Sequence, residues 1–346
     1  MGENPPPFFV FSQRNNQSQG IGQPYNIFTM KGYILRISAL WGRGLILALF
    51  TQSAYAITFA KTYGGTDEDV ARFIQQTSDG GYIVVGETYS FGAGSSDIFL
   101  LKTDAYGNLQ WAKTYGGDSY DFAYSVQQTS DSGYMVVGHI GVLFGDYMDI
   151  FLIKTDAYGN VIWAKTYGGA NYDYAYSVRQ TSDGGYIVAG GTWSFGAGIF
   201  DIFLIKTDEN GNIQWAKTYG GTREDYGFSV QQTSDGGYIV MGHTISFGAG
   251  YDDIFLIKTD ANGNVQWAKT YGGTSDDLVR FVRQTSDGGY IVVGETYSFG
   301  AGYSDIFLIK TDANGNVQWA KTYGGTDYDL AFSVEQTSDG GYIAAG

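Results

Sequence analysis

The chain has 346 residues, 20 basic against 35 acidic, a net charge of −15 and no cysteine. Disulfides are therefore excluded. A polyanion would meet repulsion and find no basic patch on which to release counterions, which argues against nucleic acid as a partner. Aromatic residues make up 17% of the chain, enough to furnish a sizeable core.

Residues 1–56 are a different kind of sequence from the rest. They hold all four prolines (Pro5, Pro6, Pro7, Pro24) and four basic residues against Glu3. From Met30 they read as a basic start (Lys31, Arg36), an apolar stretch from Gly44 to Phe50 and a small-residue exit Ala54-Tyr55-Ala56, the three parts of a secretory signal. Cleavage is expected after Ala56, with Met30 as an alternative true start. An uncleaved anchor or a mere N-terminal strand is the rival. Arg36 and Arg43 interrupt the apolar stretch well short of the roughly 20 residues a membrane span needs. Removal of the segment takes the net charge from −15 to −18.

From residue 57 to 346 a single interval rules. The motif K-T-Y-G-G recurs with its tyrosine at Tyr63, Tyr115, Tyr167, Tyr219, Tyr271 and Tyr323, a period of 52 residues without insertion or deletion. Such a period marks an array whose units bury their faces against their neighbours. Within one unit four runs have strand character: Leu278 to Thr285, Tyr290 to Thr296, Asp305 to Thr311 and Val317 to Tyr323. Asp-Gly and Asn-Gly turns separate the first pair and the last, which predicts an antiparallel meander. The second and third runs are apolar at consecutive positions, so both sheet faces are covered. Four-stranded sheets covered on both faces and repeated around an axis make an all-β propeller, here five complete repeats and a partial sixth blade.

The series G-G-Y-I-V-V-G, D-I-F-L-I-K-T-D-A-N-G-N and a tryptophan resembles the kelch-type blade. It is closer to the propeller repeats of archaeal and bacterial secreted and surface proteins, with their Q-T-S-D-G-G-Y-I-V-x-G and W-x-K-T-Y-G-G signatures. The resemblance covers residues 57–346. It implies an extracellular propeller, usually one module of a longer protein, and carries over no catalytic residue. In the kelch order the first run is innermost and the tryptophan run outermost. Ile57 to Gly65 is then an outermost strand that helps complete blade six, whose third strand is missing. The chain reads as part of a longer frame, or else blade six closes with three strands.

Internal repeats let the protein be compared with itself. Asp69, Asp121, Asp173, Asp225, Asp277 and Asp329 occupy one column; Asp97, Asp149, Asp201, Asp253 and Asp305 occupy another. Two carboxylate rings could hold Ca²⁺, but capping of loop N–H groups is the favoured reading. D-A-N-G-N lacks the ligand spacing and distal glutamate of a calcium loop and reads as a hairpin turn. Trp111, Trp163, Trp215, Trp267 and Trp319 read as packing between blades rather than sugar platforms.

The column after the second strand varies: Glu87, His139, Gly191, His243, Glu295. A two-residue Asp-Gly turn, with Ser78 facing Gly81, sets Arg72 opposite Glu87, Arg280 opposite Glu295, Tyr124 opposite His139 and Phe228 opposite His243. Glutamate occurs only where arginine faces it, which predicts two cross-strand ion pairs rather than free catalytic acids. His139 and His243 lie in different blades without a third ligand, so no metal is expected. Blade two departs most from its neighbours, with Val142 to Met148 where others read S-F-G-A-G. The candidate ligand contacts are accordingly His139, Phe144, Asp146, Tyr147, Trp193 and His243. No cofactor is required, Ca²⁺ being the one candidate.

The function these observations favour is a non-catalytic extracellular module for binding, adhesion or scaffolding, with a protein or glycan ligand at the cell surface. The rivals are a carbohydrate-active enzyme using axial carboxylates and a structural spacer in a surface layer.

Overall fold

The computed structural model describes residues 61–141 and 147–346. Five four-stranded antiparallel meanders follow one another, each with its strands in chain order, and a two-stranded sheet, Ser333–Gln336 and Tyr342–Ala345, begins a sixth. Blade five shows the pattern: Asp277–Gln284, Tyr290–Thr296, Asp305–Thr311 and Val317–Tyr323. The first strands of the other blades are Asp69–Gln76, Asp121–Gln128, Asp173–Gln180 and Asp225–Gln232. The first strand of each blade packs on that of the next, and the tryptophan strand lies mostly exposed at the outside. The architecture is a β-propeller.

The core lies between blades, as consecutive apolar residues require. Ile83, Val85, Ile98 and Leu100 of blade one meet Val126, Tyr134 and Val136 of blade two. The alternate residues Met135, Val137, Ile150 and Leu152 face blade three, where they meet Val178, Tyr186 and Val188. The outer-strand tryptophan of each of the five blades caps this layer by packing edge-on against a tyrosine of the following blade, as Trp111 does on Tyr134 with centroids 5.8 Å apart. The tyrosine of K-T-Y-G-G adds a second tie: Tyr115 Oη donates to Gly159 O at 2.7 Å and Tyr167 Oη to Gly211 O at 2.7 Å, each in the following blade. A third tie is a reciprocal glutamine clasp. Ser130 N donates to Gln180 Oε1 at 2.9 Å while Gln180 N donates to Gln127 Oε1 at 2.6 Å.

Residues 1–60, which include the expected secretory signal and its expected cleavage site, lie outside the described residues. Residues 61–65 form no strand, so the outermost strand expected there is not found among them. Tyr63 nevertheless donates to Gly107 O, the bond its counterparts make to the blade that follows them.

The hairpin turns correct the expected register. Thr77 N donates to Gly81 O at 2.8 Å and Gly80 N to Thr77 O at 2.9 Å, with Gly80 at φ 83°. This is a three-residue loop, a type I turn followed by a left-handed residue, and not a two-residue turn. The ladder resumes at Gln76 opposite Tyr82, one residue out of the expected register, and a bulge further along shifts it once more, so that Val70, not Arg72, stands opposite Glu87.

Candidate functional site

A second irregularity restores what the turn displaced. The ladder slips between Ala71 and Phe73, leaving Arg72 as the extra residue of a bulge. From there Arg72 Nε donates to Glu87 Oε1 and Oε2 at 3.0 and 2.9 Å. Blade five repeats the arrangement, with Leu278 opposite Glu295 and Arg280 gripping it from the bulge. Both glutamates are buried and both arginines half-exposed. The two ion pairs read from the sequence are therefore present, held by a bulge rather than by direct opposition.

In blades two and four the same two positions hold an aromatic ring and a histidine. His139 stands between Phe122 (5.4 Å between centroids) and the bulged Tyr124 (5.1 Å). His243 stands between Tyr226 (5.2 Å) and the bulged Phe228 (4.9 Å). Blade three places Tyr174 and Tyr176 between them, and Tyr176 lies 5.2 Å from both Tyr124 and Phe228. Gly191 fills the histidine column there because a Cβ would come within 2.9 Å of the Tyr226 ring.

These rings line an open hollow of ≈ 430 Å³ at the inner strands, and both histidines and Met148 line it with them. Burial, with a smaller contribution from the Arg72 charge, holds the His139 imidazole down at about 4. Burial also brings His243 to about 4, with Asp225 and Arg280 pulling in opposite directions. His139 is only 5% exposed, and its Nδ1 has no hydrogen-bond partner. His243 Nε2 lies 3.7 Å from Asp252 Oδ1. Burial raises the Asp252 carboxyl above the usual range, and the nearby Asp276 and Glu224 raise it further against Arg223. Among the described residues no three acids, histidines or cysteines gather to hold a metal.

The remaining candidates fall elsewhere. Tyr147 and Trp193 are exposed and meet through Tyr172, at 5.4 and 6.0 Å, in an aromatic patch that includes Phe200. Phe144 and Asp146 lie outside the described residues. The first aspartate column caps loops: Asp69 accepts from Gly65 N at 2.7 Å and Ser90 Oγ at 2.8 Å, and Asp121, Asp173, Asp225, Asp277 and Asp329 each accept from the equivalent glycine N–H. In the second column Asp201, Asp253 and Asp305 accept from Gly198, Gly250 and Ala301 N–H. In the D-A-N-G-N turn Asp260 accepts from the N–H groups of Asn262 and Asn264.

Sequence reasoning named Tyr124 and Phe228 only as partners of the histidines and passed over Tyr174, Tyr176 and Tyr226. The signal was present in the first strands, where the bulge position reads Arg72, Tyr124, Tyr176, Phe228, Arg280: aromatic in the three middle blades and cationic at either side.

No family model matches the chain. In an alignment 148 positions long that covers 39% of this chain, it is 26% identical to the regulatory protein FlaEY of Caulobacter vibrioides, and the match spans 14% of that protein. Among solved structures it is similar to the WD40 domain of Neurospora crassa Pan2, with TM-score 0.49, 11% identity, and coverage of 76% of this chain and 68% of that one. It is similar also to Penicillium chrysogenum alpha-L-arabinanase in complex with arabinobiose, with TM-score 0.47, 11% identity, and coverage of 79% and 88%.

Proposed function

We propose that the protein is a non-catalytic binding module, exported after cleavage at Ala56, that receives part of a cell-surface glycan or protein in the axial aromatic cavity. The observation that carries this reading is the cavity itself: five blades share one backbone, yet the variable residues of the middle three converge on a single hollow lined by π-faces and by His139, whose Nδ1 is unpartnered. The first column of constant carboxylates caps loops, and Glu87 and Glu295 are paired with arginines. The resemblance to the repeats of secreted and surface proteins supports the cellular setting.

A glycan and peptide array probed with the exported chain and with Tyr176→Ala tests the reading. Retention of one ligand class by the native chain, and its loss in the variant, is expected; equal retention by both sinks the cavity as the site. N-terminal sequencing of exported protein is expected to begin at Ile57.

One observation favours the enzymatic rival. Asp252 is a carboxyl 3.7 Å from His243, which lines the hollow, and a carboxyl placed beside a site is the group a glycosidase uses for proton transfer. Turnover of a polysaccharide that Asp252→Asn abolishes would establish that rival in place of the binding module.

A further inference from the structure

The ligand group that fits this cavity can be specified further, on the reading that the cavity is the binding site. The aromatic rings offer π-faces and edges, and one of them already serves a cation: the Arg72 guanidinium lies 5.6 Å from the Tyr124 ring centroid. Both flanking arginines are neutralised by their own glutamates. The charge that remains is negative. Asp252 stands beside His243 with a buried Oδ1 that no donor satisfies, and Asp276 and Glu224 act on it against the single Arg223, whose Nη1 is donated to Ile245 O. Neither histidine opposes a positive ligand, because burial keeps both neutral at physiological pH. A cavity of ≈ 430 Å³ accommodates a small group of a few carbon atoms rather than a folded element.

We propose that the axial hollow is an aromatic cage for a quaternary or methylated ammonium group, with Tyr174, Tyr176, Tyr226 and Phe228 supplying the π-faces and Asp252, behind the lining His243, the balancing charge. A bare ammonium ion is strongly hydrated and loses much on entering such a site. An alkylated one carries the same charge on an apolar surface, so the rings replace its water at little loss. His139 Nδ1 is left to meet a hydrogen-bonding group attached to the cation.

The test is calorimetric titration of the full chain, at constant ionic strength, with choline, tetramethylammonium, the neutral isostere 3,3-dimethylbutan-1-ol and methyl β-glucoside. Choline and tetramethylammonium are expected to bind saturably, with the isosteric alcohol about tenfold weaker because it lacks only the charge. Asp252→Asn should weaken choline about fivefold and leave the alcohol unchanged, a pattern that misfolding does not produce. Tyr176→Phe should retain choline, and Tyr176→Leu should lose about tenfold. Equal affinity for choline and the alcohol overturns the cage and leaves an apolar pocket. Binding of the glucoside without either ammonium compound also overturns it, while the binding-module reading stands. Failure of all four probes overturns the cage alone, since the array with Tyr176→Ala decides the broader reading independently.

Discussion

Arg72 grips Glu87 although Val70 is the residue opposite it. The bulge that makes this reach geometrically sound also fixes which substitutions blade one tolerates. Glu87 is buried, so removing its arginine leaves a carboxylate without solvent or partner. Glu87→His beside Arg72 is expected to lower stability by about 2 kcal/mol, and adding Arg72→Tyr to recover most of that loss. The Tyr124–His139 stack of blade two is the precedent. Denaturant unfolding of the two single variants and the double variant gives the coupling, and additivity would show that the pair is energetically idle.

Ser132 is the one non-glycine residue with positive φ among the described residues, at 69°. It occupies the left-handed turn position that Gly80, Gly184, Gly236, Gly288 and Gly340 hold in the other blades, with φ from 81° to 84°. A Cβ is strained in that region, so Ser132→Gly should stabilise the protein by about 1 kcal/mol. Thermal unfolding is the measurement, and a lowered midpoint contradicts the expectation.

Arg179 stands where Gln127 stands in blade two, and the reciprocal clasp to the next blade loses a member there. Ser182 N still donates to Gln232 Oε1 at 2.8 Å, but the return bond that Gln75, Gln127 and Gln231 accept in their blades has no acceptor in the Arg179 side chain. Burial, assisted by the Arg283 charge, holds the Arg179 guanidinium down at about 10. Arg179→Gln is expected to add the second bond and remove a desolvated charge, raising stability by about 1 kcal/mol. Slower hydrogen exchange at the Gln232 amide would accompany the gain, and unchanged exchange would refute the clasp.

The two histidines give a signed pH dependence. Each is lowered from 6.5 to about 4 in the folded chain. Between those values the unfolded chain binds protons that the folded chain refuses, so stability is full above pH 6.5 and declines as pH falls towards 4. Replacing both with phenylalanine should flatten this part of the profile. Imidazole resonances that titrate near 6.5 in the folded protein would contradict the burial that causes the shift.

Much of this protein was legible as sequence. A fixed period of 52 residues carries its own alignment, and Asp-Gly and Asn-Gly punctuation separates strands whose apolar runs name their length. Three of the four strand boundaries read in blade five, those at Tyr290–Thr296, Asp305–Thr311 and Val317–Tyr323, coincide with the structure. The pairing of Arg72 with Glu87 was legible too, because a column that covaries within one chain reports contact whatever path the backbone takes.

The path itself was not legible. A two-residue turn and a three-residue turn both accept Ser-Asp-Gly-Gly, and only hydrogen bonding from Thr77 N to Gly81 O selects the longer one. A bulge leaves no mark in composition, since it is occupied by a cation at Arg72 and by aromatic rings at Tyr124 and Phe228; the slip is a property of the ladder they interrupt. The cavity belongs wholly to the tertiary structure. Tyr124, Tyr176 and Phe228 are 52 residues apart in succession, and only the stacking of inner strands around one axis brings their rings to 5.2 Å. Local sequence sets what each strand presents, while the angle between blades decides which of those faces meet.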